Sequence, residues 1–269
     1  MAMDETHGMA DVDSMFDRTQ LLVGTLNMKN IQATSVMVAG VGGVGAFAVE
    51  ALVRAGIGKI ILFDGDIVSR SNLNRQLIAL NSTIGKSKAE LMYSRLKDIN
   101  PNCEIIALKE YIRDDRMEEV LDKYHPDWVI DAIDTLSPKV FLLMNCYKRN
   151  IHTVSCMGSG GKYNPSAIQI TDISQTYNCP LASQVRKRLH KMGVYEGISA
   201  VFSAEKVDAS CIREEKSDNK ITTIGTISYM PAMFGLMAAS VVLRSIMNIE
   251  CYKKQKDTKY YQDKKEFKL

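Results

Sequence analysis

Residues 35–66 read SVMVAGVGGVGAFAVEALVRAGIGKIILFDGD, and the fold turns on this stretch. Ser35 to Ala39 is a short apolar, β-branched run of the kind that fills a strand buried on both faces. Gly40, Gly42, Gly43 and Gly45 follow at once and satisfy G-x-G-x-x-G with one additional glycine. Ala46 to Ala55 has helix-forming composition and stops at Gly56 and Gly58; Lys59 to Phe63 is a second apolar strand, ending at Asp64-Gly65-Asp66. Strand, glycine loop, helix and strand within about 30 residues make a βαβ unit. Such glycines let backbone approach phosphates, and the helix behind them aims its N-terminal N–H groups at negative charge. Asp64 ends the second strand, where a carboxylate accepts ribose hydroxyls.

The alternation continues outward. Lys86 to Asn100 carries a helical apolar stripe and is stopped by Pro101; Glu104 to Leu108 reads as a strand and Asp114 to Lys123 as a helix. Trp128 to Ile133 is a third apolar strand closed by Asp134. Pro138 sits in the first turn of a helix running to about Arg149, and His152 to Met157 is a strand entering the Gly158 to Gly161 cluster. The rhythm predicts an α/β fold: a Rossmann-like, doubly wound, mostly parallel sheet with a less regular C-terminal extension. In that extension Ile168 to Thr171 and Ala200 to Ala204 read as strands, Leu181 to Met192 as a basic helix, Glu205 to Lys220 as a polar mobile loop, and about Met230 to Met247 as an apolar helix. Residues 15–250 read as a single domain, between a disordered leader (1–14) and a basic tail (251–269).

Composition bounds the function. With 46% hydrophobic and 24% charged residues over 269 positions, wholesale disorder is excluded. The net charge of +3 is misleading, because Tyr252 to Leu269 alone carries +4 and leaves the body near −1. The six cysteines form no C-x-x-C pair, and several lie in apolar segments as free thiols do in a reducing compartment, so a cytoplasmic location and no structural zinc are expected. Ile227 to Ile246 is apolar but interrupted by Pro231, Gly235 and Arg244, which favours a core helix over membrane association.

Up to Asp64 a nicotinamide-dependent enzyme fits equally well. The discriminating residues come next, in Ser71-Asn72-Leu73-Asn74-Arg75-Gln76 and Gly85-Lys86-Ser87-Lys88-Ala89. Arg75 and Lys88 after the ribose acid suit a triphosphate, since attack at the α-phosphate of ATP needs its growing negative charge stabilised. Asp134 lies on the carboxyl edge of the sheet, where a carboxylate facing phosphates suits Mg²⁺. Each also has a plainer reading: Arg75 as a loop surface charge, Lys88 as an exposed helix residue, Asp134 as a helix N-cap.

These segments, in this order and spacing, resemble the E1-like adenylating superfamily, the relatives of the MoeB and ThiF enzymes. The resemblance implies that Asp64 holds the ATP ribose, that Arg75 and Lys88 hold phosphates, and that Asp134 holds Mg²⁺. The nucleotide set is completed by Gly40, Gly42, Gly43, Gly45, Asp66 and Asn72. Phe16-Asp17-Arg18-Thr19-Gln20-Leu21-Leu22 matches the family's arginine segment, which implies a homodimer in which Arg18 reaches the ATP of a second copy. The catalytic residues implied are thus Arg18, Arg75 and Lys88. The C-terminal third is similar to the tRNA threonylcarbamoyladenosine dehydratase family, through residues 158–162 (GSGGK), 170–174 (ITDIS), 179–188 (CPLASQVRKR) and 201–205 (VFSAE).

That resemblance implies a tRNA whose adenosine next to the anticodon bears a threonylcarbamoyl group. Its carboxylate would be activated as an acyl-adenylate and then cyclised with loss of water, with no enzyme nucleophile required. Arg186, Lys187, Arg188 and Lys191 form the densest basic cluster outside the tail and are the RNA-binding candidates, although one helix cannot present them all on one face. Two rivals stand beside this reading. One is adenylation of the C-terminal glycine of a ubiquitin-like sulfur-carrier protein, against which the missing zinc cysteines count. The other is a nicotinamide-binding redox module. A sulfur-transfer protein is a further partner that the resemblance leaves open.

Overall fold

A computed structural model describes residues 14–111, 113–217 and 220–252, with the side chains of 214–222 outside the description. Most of the expected leader and basic tail lies outside the described residues. In order, the elements are α1 (Asp17–Val23), α2 (Thr25–Ala33), β1 (Ser35–Ala39), α3 (Gly45–Ala55), β2 (Lys59–Phe63), α4 (Lys88–Ile99), β3 (Glu104–Leu108), α5 (Asp114–Tyr124), β4 (Trp128–Asp131), α6 (Leu136–Lys148), β5 (His152–Cys156), β6 (Ile168–Asp172), α7 (Pro180–Lys191), β7 (Ser199–Ser203), β8 (Ile212–Ser217), β9 (Lys220–Ile224) and α8 (Tyr229–Ile246).

Alternation along β1 explains the layers. Val36 and Val38 are buried in a cluster with α3, α4 and α8, whereas Met37 and Ala39 are buried in one with α5 and α6. A strand buried on both faces must be apolar wherever it is buried, as β1 is from Val36 and β2 from Ile60. The seven-stranded sheet has the order β3-β2-β1-β4-β5-β7-β6. All neighbours are parallel except β6 and β7, which pair Ile168 with Ser203 and Asp172 with Ser199 in antiparallel fashion. The chain runs outward from β1 towards β3 and then returns to lay β4 on its other side, with Ala39 opposite both Phe63 and Asp131. The crevice at the carboxyl ends of β1 and β4 is therefore the topological switch point, where open sheets of this kind bind ligands.

Helix α8 is the one described helix long and apolar enough to cross a membrane, at 18 residues. It lies instead along α3, burying Met230, Phe234, Ala238 and Val242. A Cβ on Gly235 would fall 2.2 Å from Val44 O, so the two helices approach at near backbone contact.

Two expectations are corrected. The third expected strand ends at Asp131, two residues before Ile133, because the Asp131 carboxylate turns inward and accepts from Ile133 N (3.1 Å), ending the extended run. The segment expected as a polar loop over 205–220 contains β8, which pairs with β9 as a hairpin from Ile212 opposite Ile224 to Ser217 opposite Lys220. Polar composition hid it, although Ile221 to Ile224 (ITTI) is strand-like in residue type.

Candidate nucleotide site

The glycine loop leaves β1 through Gly40, whose φ of +85° favours glycine. A Cβ on Gly45 would lie 1.8 Å from Gly40 O and 3.2 Å from Ala132 Cβ, so only glycine allows α3 to start this close to the strand ends. The loop is pinned to β2 by Asp64, whose Oδ2 accepts from Val41 N and whose Oδ1 accepts from Asp66 N, both at 2.8 Å. Burial pushes the Asp64 carboxyl above the ordinary aspartate range, against the pull of Lys88 and of these two N–H groups. The same carboxylate that orders the loop stands where a ribose hydroxyl would find an acceptor.

Lys88 is buried at the start of α4, its Nζ 2.7 Å from Asp66 Oδ2, which removes the reading of it as an exposed helix residue. Asp66 also accepts from the Tyr111 hydroxyl, and that bond pushes the tyrosine up to about 12. The Tyr111 ring lies over Gly65, where a Cβ would meet it at 2.6 Å. Tyr111 follows β3 at the same edge of the sheet, and composition alone carried no sign of its part.

Arg75 is carried to the loop from the other side. A Cβ on Gly43 would fall 3.4 Å from Arg75 Cγ and 3.2 Å from Pro231 Cβ, so arginine, glycine loop and the first turn of α8 converge. The guanidinium bonds Ser71 O (2.9 Å) and Asn74 Oδ1 (2.8 Å), both neutral acceptors that do not offset its positive charge. Asn72 is buried and accepts from Ser69 N (3.0 Å), which shapes the turn that delivers Arg75. Gln76, read only as part of its motif, lies 3.5 Å from a Cβ placed on Gly42, and its buried Oε1 has no partner. The amide nitrogen is the end nearer Gly42, and the orphaned acceptor, without a partner among the described residues, is a position that a hydrogen-bond donor could fill.

Asp134 is exposed three residues beyond β4, and the N-cap of α6 is Thr135, so Asp134 is not that cap. Its loop is anchored by a pair the sequence did not reveal. Lys139 on α6 and Asp131 on β4 are wholly buried, 2.8 Å apart, with Lys139 also donating to Ile133 O (2.9 Å) and Ser155 Oγ to Asp131 Oδ2 (2.6 Å). No group of three or more metal-ligating side chains occurs among the described residues. Burial pushes the Cys156 thiol behind this pair up to about 12, which leaves it a poor nucleophile.

Arg18 is not brought to this site. Phe16, just before α1, lies 3.3 Å from a Cβ on Gly56, at the far end of α3, and an 11-residue helix spans about 16 Å. Arg18 is exposed there beside Leu21 and Leu22, which are 88% and 85% exposed. On α7, Lys187 and Lys191 are exposed. Arg188 donates to Ser137 Oγ (2.8 Å), while Arg186 is half-buried and donates to Thr176 Oγ1. The bond to Ser137 sets the basic helix against the start of α6, next to Asp134.

A βαβ glycine loop at the switch point, with an acid at the end of the next strand and two cations around it, defines a nucleotide-binding protein of the doubly wound class. Residues 16–268 match the model of the ThiF family, and the chain belongs to that family. It is 41% identical to tRNA threonylcarbamoyladenosine dehydratase of Bacillus subtilis (strain 168) over 87% of this chain and 96% of that protein. It superposes on the crystal structure of Escherichia coli tRNA N6-threonylcarbamoyladenosine dehydratase in complex with ATP with a TM-score of 0.79 and 34% identity, covering 87% of this chain and 94% of the other. The molybdopterin-synthase adenylyltransferase of Salmonella typhimurium is 34% identical, but over 45% of this chain and 47% of that protein.

Proposed function

We propose that this chain is a tRNA threonylcarbamoyladenosine dehydratase, which cyclises the threonylcarbamoyl group of a tRNA adenosine next to the anticodon with consumption of ATP. The observation that carries the reading is the reach of the likeness. It covers 87% of the chain for the dehydratase of Bacillus subtilis, against 45% to 58% for the sulfur-carrier type of adenylyltransferase.

A carboxylate does not cyclise unaided, because oxide is a poor leaving group. Attack of the substrate carboxylate on the α-phosphate breaks the bond to pyrophosphate and forms an acyl-adenylate. A neighbouring atom of the ureido group then attacks the activated carbonyl carbon, losing its proton, and the carbon–oxygen bond to AMP breaks. The oxygen lost as water thus leaves in AMP. In this reading Asp64 orients the ribose, Arg75 and Lys88 draw charge from the phosphates, and one pocket supplies proximity for ring closure. Asp134 fits Mg²⁺, a hard cation held by one or two carboxylates together with phosphate oxygens, which when bound would offset triphosphate charge.

The working form in this proposal is a homodimer. The exposed Leu21, Leu22 and Leu26 give a second copy apolar surface to cover, and Arg18 beside them would serve the partner subunit's nucleotide. Lys187, Arg188 and Lys191 on α7 would follow the RNA backbone. Free cysteines throughout the described residues suit a reducing cytoplasm.

The test supplies purified protein with ATP and hypomodified tRNA carrying threonylcarbamoyladenosine. The expected nucleoside has lost the mass of one water, with one pyrophosphate released per conversion. Pyrophosphate exchange dependent on a small carrier protein, with the tRNA unchanged, would overturn the reading.

A further inference from the structure

Two half-exposed tyrosines beside the nucleotide site have their hydroxyls engaged by the protein itself. Tyrosine at a protein surface ordinarily buries its ring and gives its hydroxyl to water. Here the Tyr229 hydroxyl donates to Tyr163 O (2.8 Å), and the Tyr163 hydroxyl shares a hydrogen bond with Cys211 Sγ (3.5 Å). Both hydroxyls are tied to protein, yet the residues are 58% (Tyr163) and 41% (Tyr229) exposed. With both hydroxyls engaged, the rings are left to make a contact of their own.

The pair is rigidly mounted. The Glu205 carboxylate accepts from Tyr163 N (3.1 Å) and Asn164 N (2.8 Å), which holds the chain just after the Gly158 to Gly161 cluster. Gly161 N donates to Gly225 O (2.8 Å), tying that cluster to the strand leading into α8. Tyr229 opens α8 two residues before Pro231, the residue seated on Gly43. Asn74, next to Arg75, donates to Thr226 O (3.2 Å). Tyr229 thus stands two residues from the proline seated on the glycine loop, and its hydroxyl ties Tyr163 to the same end of α8.

We propose that Tyr163 and Tyr229 form a stacking ledge for an unpaired base of the substrate RNA, at or beside the modified adenosine. The inference rests on the tRNA reading above and deepens it by naming what holds the base. Single-stranded RNA loops are read by splaying bases onto aromatic faces, and a ring fixed in advance loses little freedom when a base lands on it. A base stacked here keeps its carboxylate-bearing arm close to the glycine loop. Phosphate contacts from the basic helix would add affinity without choosing the base.

The test measures steady-state turnover and binding of a labelled anticodon stem-loop RNA for Tyr163→Ala, Tyr229→Ala and the matching phenylalanine variants. Stacking lost at one ring should raise KM for RNA and weaken stem-loop binding about tenfold, with KM for ATP unchanged. Tyr163→Phe should bind like the wild type, because the face and not the hydroxyl carries the contact. Unchanged RNA binding in both alanine variants would overturn the ledge while leaving the tRNA reading intact. So would a phenylalanine variant as defective as its alanine counterpart. Wild-type protein that neither binds nor converts the RNA would overturn both.

Discussion

Lys139 and Asp131 stand 2.8 Å apart with both side chains removed from solvent, one on the first turns of α6 and the other on the last residue of β4. Lys139 also holds Ile133 O, so the short loop bearing Asp134 is fastened at both ends by one ammonium. Breaking such a pair from one side leaves a buried charge uncompensated. Lys139→Met should therefore destabilise the protein by roughly 3–5 kcal/mol, read by urea denaturation. The double variant Asp131→Asn, Lys139→Met should regain much of that loss. A single variant within about 1 kcal/mol of the wild type would show that the pair contributes no more than a surface bridge.

Arg75 and Asp134 act on the triphosphate in the proposed mechanism, and neither carries the fold. Arg75→Ala and Asp134→Ala should each lower pyrophosphate release by at least about a hundredfold while leaving the melting temperature near that of the wild type. Retained turnover in either would remove that residue from its role.

Arg18 lies a helix length from its own glycine loop, so its contribution should come in trans. Protein carrying Arg18→Ala and protein carrying Lys88→Ala should each be nearly inactive alone. Unfolding and refolding the two together should restore part of the activity, because mixed dimers contain one site with both cations intact. No recovery, or a monomer by sedimentation, would refute the shared site.

Glu50 on α3 accepts from Arg54 (2.9 Å) and from Arg95 of α4 (2.5 Å). Burial pushes its carboxyl up, but the two guanidinium bonds outweigh this and hold it below the ordinary value of 4.5. A lowered value in the folded state means that the charged form is the stabilised one. The contribution is present above pH 4.5 and is lost as pH falls through the folded-state value. Glu50→Gln should cost about 1 kcal/mol at neutral pH, limited by solvent around the arginines, and converge with the wild type in acid. A gap that stays constant down to pH 3 would refute the assignment.

Much of the nucleotide site was legible along the chain because its parts are local. Glycines between a strand and a helix, and an acid at the end of the next strand, are features of adjacent residues, and their spacing already implies the βαβ geometry. The strand expected to run to Ile133 stopped at Asp131 because a buried charge turned inward, and an apolar run cannot show where its partner lysine will sit. The β8–β9 hairpin went unread for a different reason: β8 is polar in sequence (IREEKS), and a two-stranded pair carries no long apolar run to mark it.

The sequence by itself determined the alternation of strands and helices from β1 to β5, the mostly parallel sheet, the phosphate-approaching loop and the family resemblance, since each depends on composition and spacing over a few turns of chain. Only the tertiary structure decided that Pro231 seats on Gly43, that Lys139 meets Asp131, that Lys88 is buried against Asp66, and that Tyr229 reaches Tyr163. Sequence separation sets no distance between such residues. Their meeting depends on how helices lie across the sheet, which is a property of the packed whole.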